Sequence, residues 1–241
     1  MFQNGDNVSV SFIGKMKKVR SIFIFFLAYS YANAQERPKI GEWFAVNLPL
    51  NFTKQWQWHN DAGYRTLGTS FDPLQYLFRT GFRYNFNKQW STAAGVAFFF
   101  TKTDFDKTHH EFGREFRFWE EVNHLYPMNK KLQLLLRFRA EQRFFDATSV
   151  KAEYTGYRFR LRPGINQRLD NRWSLQLTDE YMMQVANQKC VFDQNRLTFS
   201  GIYQFNKTAQ LQGGYMWLKW ANADQHIFTF TFTKIISLYG D

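Results

Sequence analysis

The stretch YTGYRFRLRPGINQRL, Tyr154 to Leu169, decides the fold. Its even positions carry Tyr154, Gly156, Arg158, Arg160, Arg162, Gly164, Asn166 and Arg168, and its odd positions Thr155, Tyr157, Phe159, Leu161, Pro163, Ile165, Gln167 and Leu169. Successive side chains of a strand point to opposite faces, so this period of two makes one charged face and one greasy face. The pattern repeats in both directions along the chain. Lys131 to Phe144 sets Gln133, Arg137, Arg139, Glu141 and Arg143 against Leu132, Leu134, Leu136, Phe138, Ala140 and Phe144. Leu74 to Phe86 sets Gln75, Arg79, Arg83 and Asn85 against Tyr76, Phe78, Phe82 and Tyr84, and Gln225 to Lys234 alternates Phe228, Phe230 and Phe232 with Thr229, Thr231 and Thr233. No segment from residue 41 onward holds an apolar period of 3.6, so the chain reads as strands throughout.

The connections alternate in kind. Short Asn- and Lys-rich turns recur at Asn51 to Gln55, Asn85 to Gln89, Met128 to Lys131, Asp170 to Arg172 and Asn206 to Thr208, usually followed by Trp or Leu. Longer polar loops lie between them at Thr66 to Pro73, Thr103 to His109, Asp146 to Glu153 and Ala186 to Val191, with a shorter one at Ala221 to Asp224. Short turns on one rim and long loops on the other describe a transmembrane antiparallel up-and-down β-barrel of the outer-membrane type. The strands read near 41–50, 56–65, 74–86, 90–101, 110–123, 131–144, 154–169, 173–185, 192–205, 209–219 and 225–235, which is eleven. Bacterial single-chain barrels are normally even, with both termini on the periplasmic side. The expectation is therefore 10 to 12 strands, with Gly41 to Leu50 either entering the lumen or pairing with a further, twelfth strand.

Composition agrees with one all-β domain. The chain has 241 residues, a fifth of them aromatic, with 5 Pro and charged residues at 21%. That profile excludes collagen-like, coiled-coil and disordered classes. The long apolar run, Ile22 to Leu27 extended by Ala28 and Tyr29, is shorter than a membrane helix requires. It is preceded by Met16, Lys17, Lys18 and Arg20 and followed by Ala32, Asn33 and Ala34, the order of a secretory leader with an A-x-A cleavage site. The expected division is residues 1–34, an upstream extension plus signal peptide that is removed, and 35–241, a single barrel domain. Cleavage there lowers the formal charge from +11 to +8, so the basicity belongs to the folded part.

A soluble, lipocalin-like secreted binding barrel also alternates, but it must hide its aromatic face inside. Ten or so strands contributing several large side chains each would overfill a small lumen. In a membrane barrel those side chains meet lipid while Arg and Glu pair within. EFRFWEE at Glu115 to Glu121, LLRFRAEQRFF at Leu135 to Phe145, YRFRLRPGI at Tyr157 to Ile165, FDQNRLTF at Phe192 to Phe199 and GGYMW at Gly213 to Trp217, with Gly41 and Trp43 ahead of them, resemble an uncharacterised outer-membrane barrel family, domain of unknown function 2490. The resemblance covers about Gly41 to Phe232. It implies outer-membrane location and a barrel fold, and it supplies no catalytic residues. The partners expected of such a protein are outer-membrane lipid, lipopolysaccharide and the outer-membrane assembly machinery.

The candidate site is a lumen charge network of Glu115, Arg117, Glu121, Arg137, Arg139, Glu141, Arg143, Arg158, Arg160, Arg162, Glu180 and Arg196. Its structural reading is a plug of salt bridges filling a narrow barrel. Its functional reading is a path or site for a small anionic solute, because arginines outnumber carboxylates and Arg binds phosphate or carboxylate bidentately. His109, His110 and Glu111 after Asp104 and Asp106 lack the spacing of zinc motifs, so no metal and no cofactor is expected. One cysteine, Cys190, excludes a disulfide framework and reads as a free thiol in a loop. An outer-membrane lipid-modifying hydrolase, the alternative function, would draw on His59 with Asp61 or Ser200 with His226. Gly213 and Gly214 are no phosphate loop, since no helix follows them. Nucleic acid is not an expected partner, because the arginines point into the barrel.

Overall fold

The computed structural model describes residues 39–239 apart from 67, 70, 104–110, 150 and 187. The leader reading, residues 1–34, lies outside the described residues. The elements are β1 (Lys39–Asn47), β2 (Leu50–Asn51), β3 (Trp56–Thr66), β4 (Pro73–Asn85), β5 (Trp90–Lys102), β6 (Phe112–Pro127), β7 (Leu132–Phe145), β8 (Tyr154–Arg168), β9 (Trp173–Ala186), β10 (Lys189–Asn206), β11 (Ala209–Lys219), β12 (Asp224–Lys234) and β13 (Ile236–Ser237). From β3 to β12 every strand pairs antiparallel with the next. The cylinder closes through β1, which runs antiparallel to β3 and parallel to β12. The two-residue strands β2 and β13 continue β1 and β12 past short breaks and pair parallel to each other. The wall therefore has eleven staves, which makes it a closed all-β barrel of mixed pairing.

The seam corrects two expectations. The segment from Gly41 to Leu50 neither enters the lumen nor finds a twelfth strand: Trp43 sits in the wall, opposite Arg65 on one side and Thr229 on the other. With an odd number of alternating staves the first and last run the same way, so closure can only be parallel. A parallel pair normally needs a long crossover connection, but a seam between the first and last strands needs none. For the same reason Lys39 starts at the rim of the loops, and Ser237 ends at the rim of the turns.

The short turns share one local device. Asn87 Oδ1 accepts from the N–H groups of Gln89 and Trp90 at 2.8 and 2.9 Å, and Asn129 Oδ1 from Lys131 and Leu132 at 2.8 and 2.9 Å. Asp170 accepts from Arg172 and Trp173 at 2.7 and 2.8 Å, and Thr53 Oγ1 from Gln55 and Trp56 at 3.2 and 3.0 Å. A short polar side chain thus replaces a backbone acceptor two and three residues on, which is why Asn, Asp or Thr precedes each new strand. The N–H groups of Arg172 and Trp173 hold the Asp170 carboxyl below its ordinary range. That turn contribution is present above the ordinary carboxylate pKa and is lost as the pH falls through the lowered one.

One expected loop is a tight hairpin. β9 runs to Ala186 and β10 starts at Lys189, with Gln188 at φ 61°, so Cys190 lies in a strand, opposite Val185, and is free and exposed. Pro163 is accommodated without a slip. The β8–β9 ladder passes from Leu161 opposite Tyr181 to Gly164 opposite Thr178, so two pairs are missing while the register is kept. The interior is filled unevenly. Trp119, 2% exposed, lies against β4 and β5, where a Cβ on Gly81 would come within 2.7 Å of the indole and one on Gly95 within 2.8 Å. Small residues on those strands leave room for long ones on β6 to β10.

A tag inserted between Asp146 and Lys151 should label from the opposite side of a membrane to one at Asp170 to Arg172. A label just ahead of β1 should behave like the first, and one after Ser237 like the second. Equal accessibility of the two strand ends on one side would contradict the parallel seam.

Candidate functional site

The inward face of β6 to β10 carries the charge network. Glu115, Glu121, Glu141 and Glu180 are 6%, 3%, 4% and 4% exposed. Glu141 Oε1 accepts from Arg160 Nη1 at 2.7 Å and lies 3.8 Å from Arg139, while its Oε2 accepts from Arg117 at 3.1 Å and lies 4.0 Å from Arg158. Glu180 accepts from Arg137 and from Arg160, the latter at 2.8 Å, and lies 3.9 Å from Arg196. Glu115 accepts from Arg117 Nε at 2.6 Å and Arg143 Nε at 2.5 Å. Glu121 accepts from Arg83 at 2.8 Å, Asn123 at 3.0 Å and Arg139 at 2.9 and 2.5 Å. Each carboxylate therefore holds at least two guanidinium groups, the arrangement under which buried ions keep their charge in a low dielectric.

Of the twelve residues singled out from sequence, eleven join this network. Arg162 shares the face but has no carboxylate within 4.0 Å among the described residues. Sequence reasoning missed the flanking members. Asp61 takes Arg79 at 2.7 Å, Asp193 takes Arg158 at 2.7 Å, and Gln184 accepts from Arg143 at 2.6 Å. Aromatic rings cap the network: the Arg117 guanidinium lies 3.6 Å from the Phe99 ring centre and that of Arg139 5.0 Å from Trp119. Arg65 lies 3.7 Å from the Trp43 ring and donates to Gln75 at 2.7 Å. Alternation alone locates these residues on the inner face; which strands meet across the lumen is not in the pattern.

The catalytic candidates are not assembled. His59 Nε2 lies 2.9 Å from Asp61 Oδ2, but the same oxygen takes the Arg79 guanidinium. Ser200 is 1% exposed on the inner face and accepts from Gln212 at 2.9 Å, whereas His226 bonds Tyr215 on the outer face. The two cannot meet through the wall. Gly213 and Gly214 lie within β11. Residues 104–110, with His109 and His110, lie outside the described residues; among those described, no cluster of His, Cys, Asp and Glu could hold a metal ion.

Residues 40–226 match the family model described as a protein of unknown function, DUF2490. The chain belongs to that family. Among solved structures this DUF2490 chain is similar to OmpT (in-vitro folded), an outer membrane protein of Vibrio cholerae, at 14% identity and a TM-score of 0.40. The alignment covers 76% of this chain and 57% of that one, so the chain spans little more than half the length of that protein. No curated protein matches it.

Within the DUF2490 barrel, Glu141→Ala should lower stability by about 3–5 kcal/mol, because it removes the buried carboxylate that Arg160 and Arg117 share and leaves their positive charge and that of neighbouring Arg139 and Arg158 under-compensated. Gln133→Ala removes one 3.4 Å bond from Asn166 and should cost about 1 kcal/mol or less. Urea midpoints of the two refolded variants measure the difference. Equal midpoints would mean that the Glu141 charge is not held by its neighbours.

Proposed function

We propose that this protein is a non-enzymatic outer-membrane barrel whose interior is closed by its own charge network, so that it works as a structural or surface-binding wall protein. It does not work as an open pore. The observation that carries this reading is the placement of four buried glutamates, each shared by at least two arginines, across the middle of the cylinder. Ions crossing it would have to displace bonds of 2.5–3.2 Å that satisfy both partners. Voltage-clamped planar bilayers holding the refolded protein should show the conductance of bare lipid. Discrete conductance steps would replace the closed reading with a small anion-selective pore.

The outer face supports a membrane setting. Phe78, Phe82, Phe118, Phe138, Phe159 and Phe199 stand 42–54% exposed on it. Tyr76 and Tyr84 on β4, and Trp173 and Tyr181 on β9, bracket this band eight residues apart. Eight residues span about 26 Å along a strand and roughly 20 Å along the axis at the usual tilt, close to the apolar band of outer-membrane barrels. Polar groups on this face bond one another: Trp58 Nε1 donates to Thr80 at 2.7 Å, Thr80 to Asn60 at 2.8 Å, and Asn195 to Asp179 at 2.7 Å. The leader at residues 1–34 would deliver the chain to the assembly machinery, and lipid with lipopolysaccharide would then cover the apolar band. The lipid-hydrolase alternative draws little from the geometry, since Asp61 is engaged by Arg79 and Ser200 faces away from His226.

Glu120 tests the membrane setting directly. It is exposed on the outer face between Phe118 and Val122, opposite Ala94 and Ala140. In a bilayer a carboxylate at that depth is unfavourable, so Glu120→Leu should stabilise the inserted barrel by on the order of 1 kcal/mol. Reduced stability in vesicles, together with full solubility of the wild type without detergent, would favour a soluble barrel instead.

A further inference from the structure

The register sets arginine directly opposite arginine three times: Arg117 and Arg143, Arg139 and Arg160, and Arg137 and Arg162. Like charges directly opposite each other destabilise a sheet. Two of the pairs are bridged by a carboxylate of the protein. Glu115 accepts from both Arg117 and Arg143, and Glu141 Oε1 lies 2.7 Å from Arg160 and 3.8 Å from Arg139. The third pair has no such bridge among the described residues. Arg137 turns to Glu180 and lies 3.9 Å from Glu121, and neither carboxylate comes within 4.0 Å of Arg162.

This third pair also opens onto space. A cavity of about 290 Å³ at the turn rim is lined by Arg83, Lys88, Asn123, Arg137 and Arg162 among others. Four cations and four amide side chains line it, and the nearby carboxylate, Glu121, is already held by Arg83, Arg139 and Asn123. Arg83 Nε and Arg137 Nε are buried without a hydrogen-bond partner. The missing pairs of the β8–β9 ladder fall at Arg162 itself and at Pro163.

We propose that this cavity is a binding site for a small oxyanion of the phosphate class, which bridges Arg137 and Arg162 as Glu115 and Glu141 bridge the other two pairs. Arg137 Nε, which has no partner among the described residues, and the Arg162 guanidinium would donate to oxygens of such an anion, the charge-assisted bonding by which Arg recognises phosphate. Lys88 and Arg83 add charge at the mouth. The volume holds a phosphate with several waters, at about 30 Å³ per water. The site shares with the closed-barrel reading only the inward direction of the arginines, so conductance tests that reading and anion response tests this one.

The test is thermal unfolding of the full refolded barrel in octyl glucoside, followed by circular dichroism, with inorganic phosphate titrated against sodium chloride at matched ionic strength. Phosphate should raise the midpoint progressively, by about 3–5 °C at ten times its dissociation constant, while chloride does not. Arg162→Gln should keep or raise the midpoint without phosphate and abolish the phosphate response, and Arg162→Lys should weaken that response. Arg168→Gln, on the exposed end of β8, should leave it intact. A parallel titration with phosphatidylglycerol in the same micelles separates the sources: an Arg162-dependent shift with the lipid and none with inorganic phosphate assigns the oxyanion to a headgroup. A response equal to that of chloride in both arms, or one that survives in Arg162→Gln, overturns the site. Should Arg162→Gln not refold, the Arg162→Lys titration decides alone, and an unchanged response overturns the site.

Discussion

The neutralisation of buried guanidinium groups is the constraint on which the rest of this barrel depends. β7 and β8 bring long cationic side chains to one inner surface, and neither could stand there unpaired, since an isolated ion in the interior costs several kcal/mol. The glutamates that answer them come from β6, β7 and β9, so the network ties together strands that share no direct ladder. Glu180 on β9 reaches Arg137 on β7, and Arg83 on β4 reaches Glu121 on β6. These bonds span an intervening strand, where the backbone ladder cannot.

That network also explains the uneven distribution of side-chain size. Gly81 and Gly95 are held to glycine by the close approach of each other's strand backbone and by the Trp119 indole, which is itself a surface for Arg139. Arg117 rests on Phe99, whose strand contributes Ala93 and Ala97 on the same face. Aromatic faces near cations contribute on the order of 1 kcal/mol where water is excluded. The result is a cylinder with a charged half and a small-residue half, each shaped by the other. Where the pairing is incomplete, at Arg162, the interior also holds a cavity.

Much of this was legible beforehand, and for a definite reason. The alternation in Tyr154 to Leu169 assigns every residue to a face, because the side-chain period of a strand is two whatever its neighbours are. The turns were legible because Asn87, Asn129 and Asp170 act on backbone groups two and three residues away, within the same short segment. The hairpin at Gln188 was not: Ala186 to Val191 look like a loop, yet Lys189, Cys190 and Val191 pair with Ala186, Val185 and Gln184, a contact that local composition does not signal.

The sequence by itself determined the strands, their faces, the turn rim and the set of inner charges, all of which rest on interactions local in the chain. Tertiary structure alone decided the seam and the pairing. Whether Gly41 to Leu50 lines a lumen or completes a wall depends on meeting β12, whose partners lie some 186 residues away at Asn47 and Thr233. Which arginine finds which glutamate likewise depends on the curvature of the closed cylinder. Closure is a property of all eleven staves together, so no single strand carries its signal.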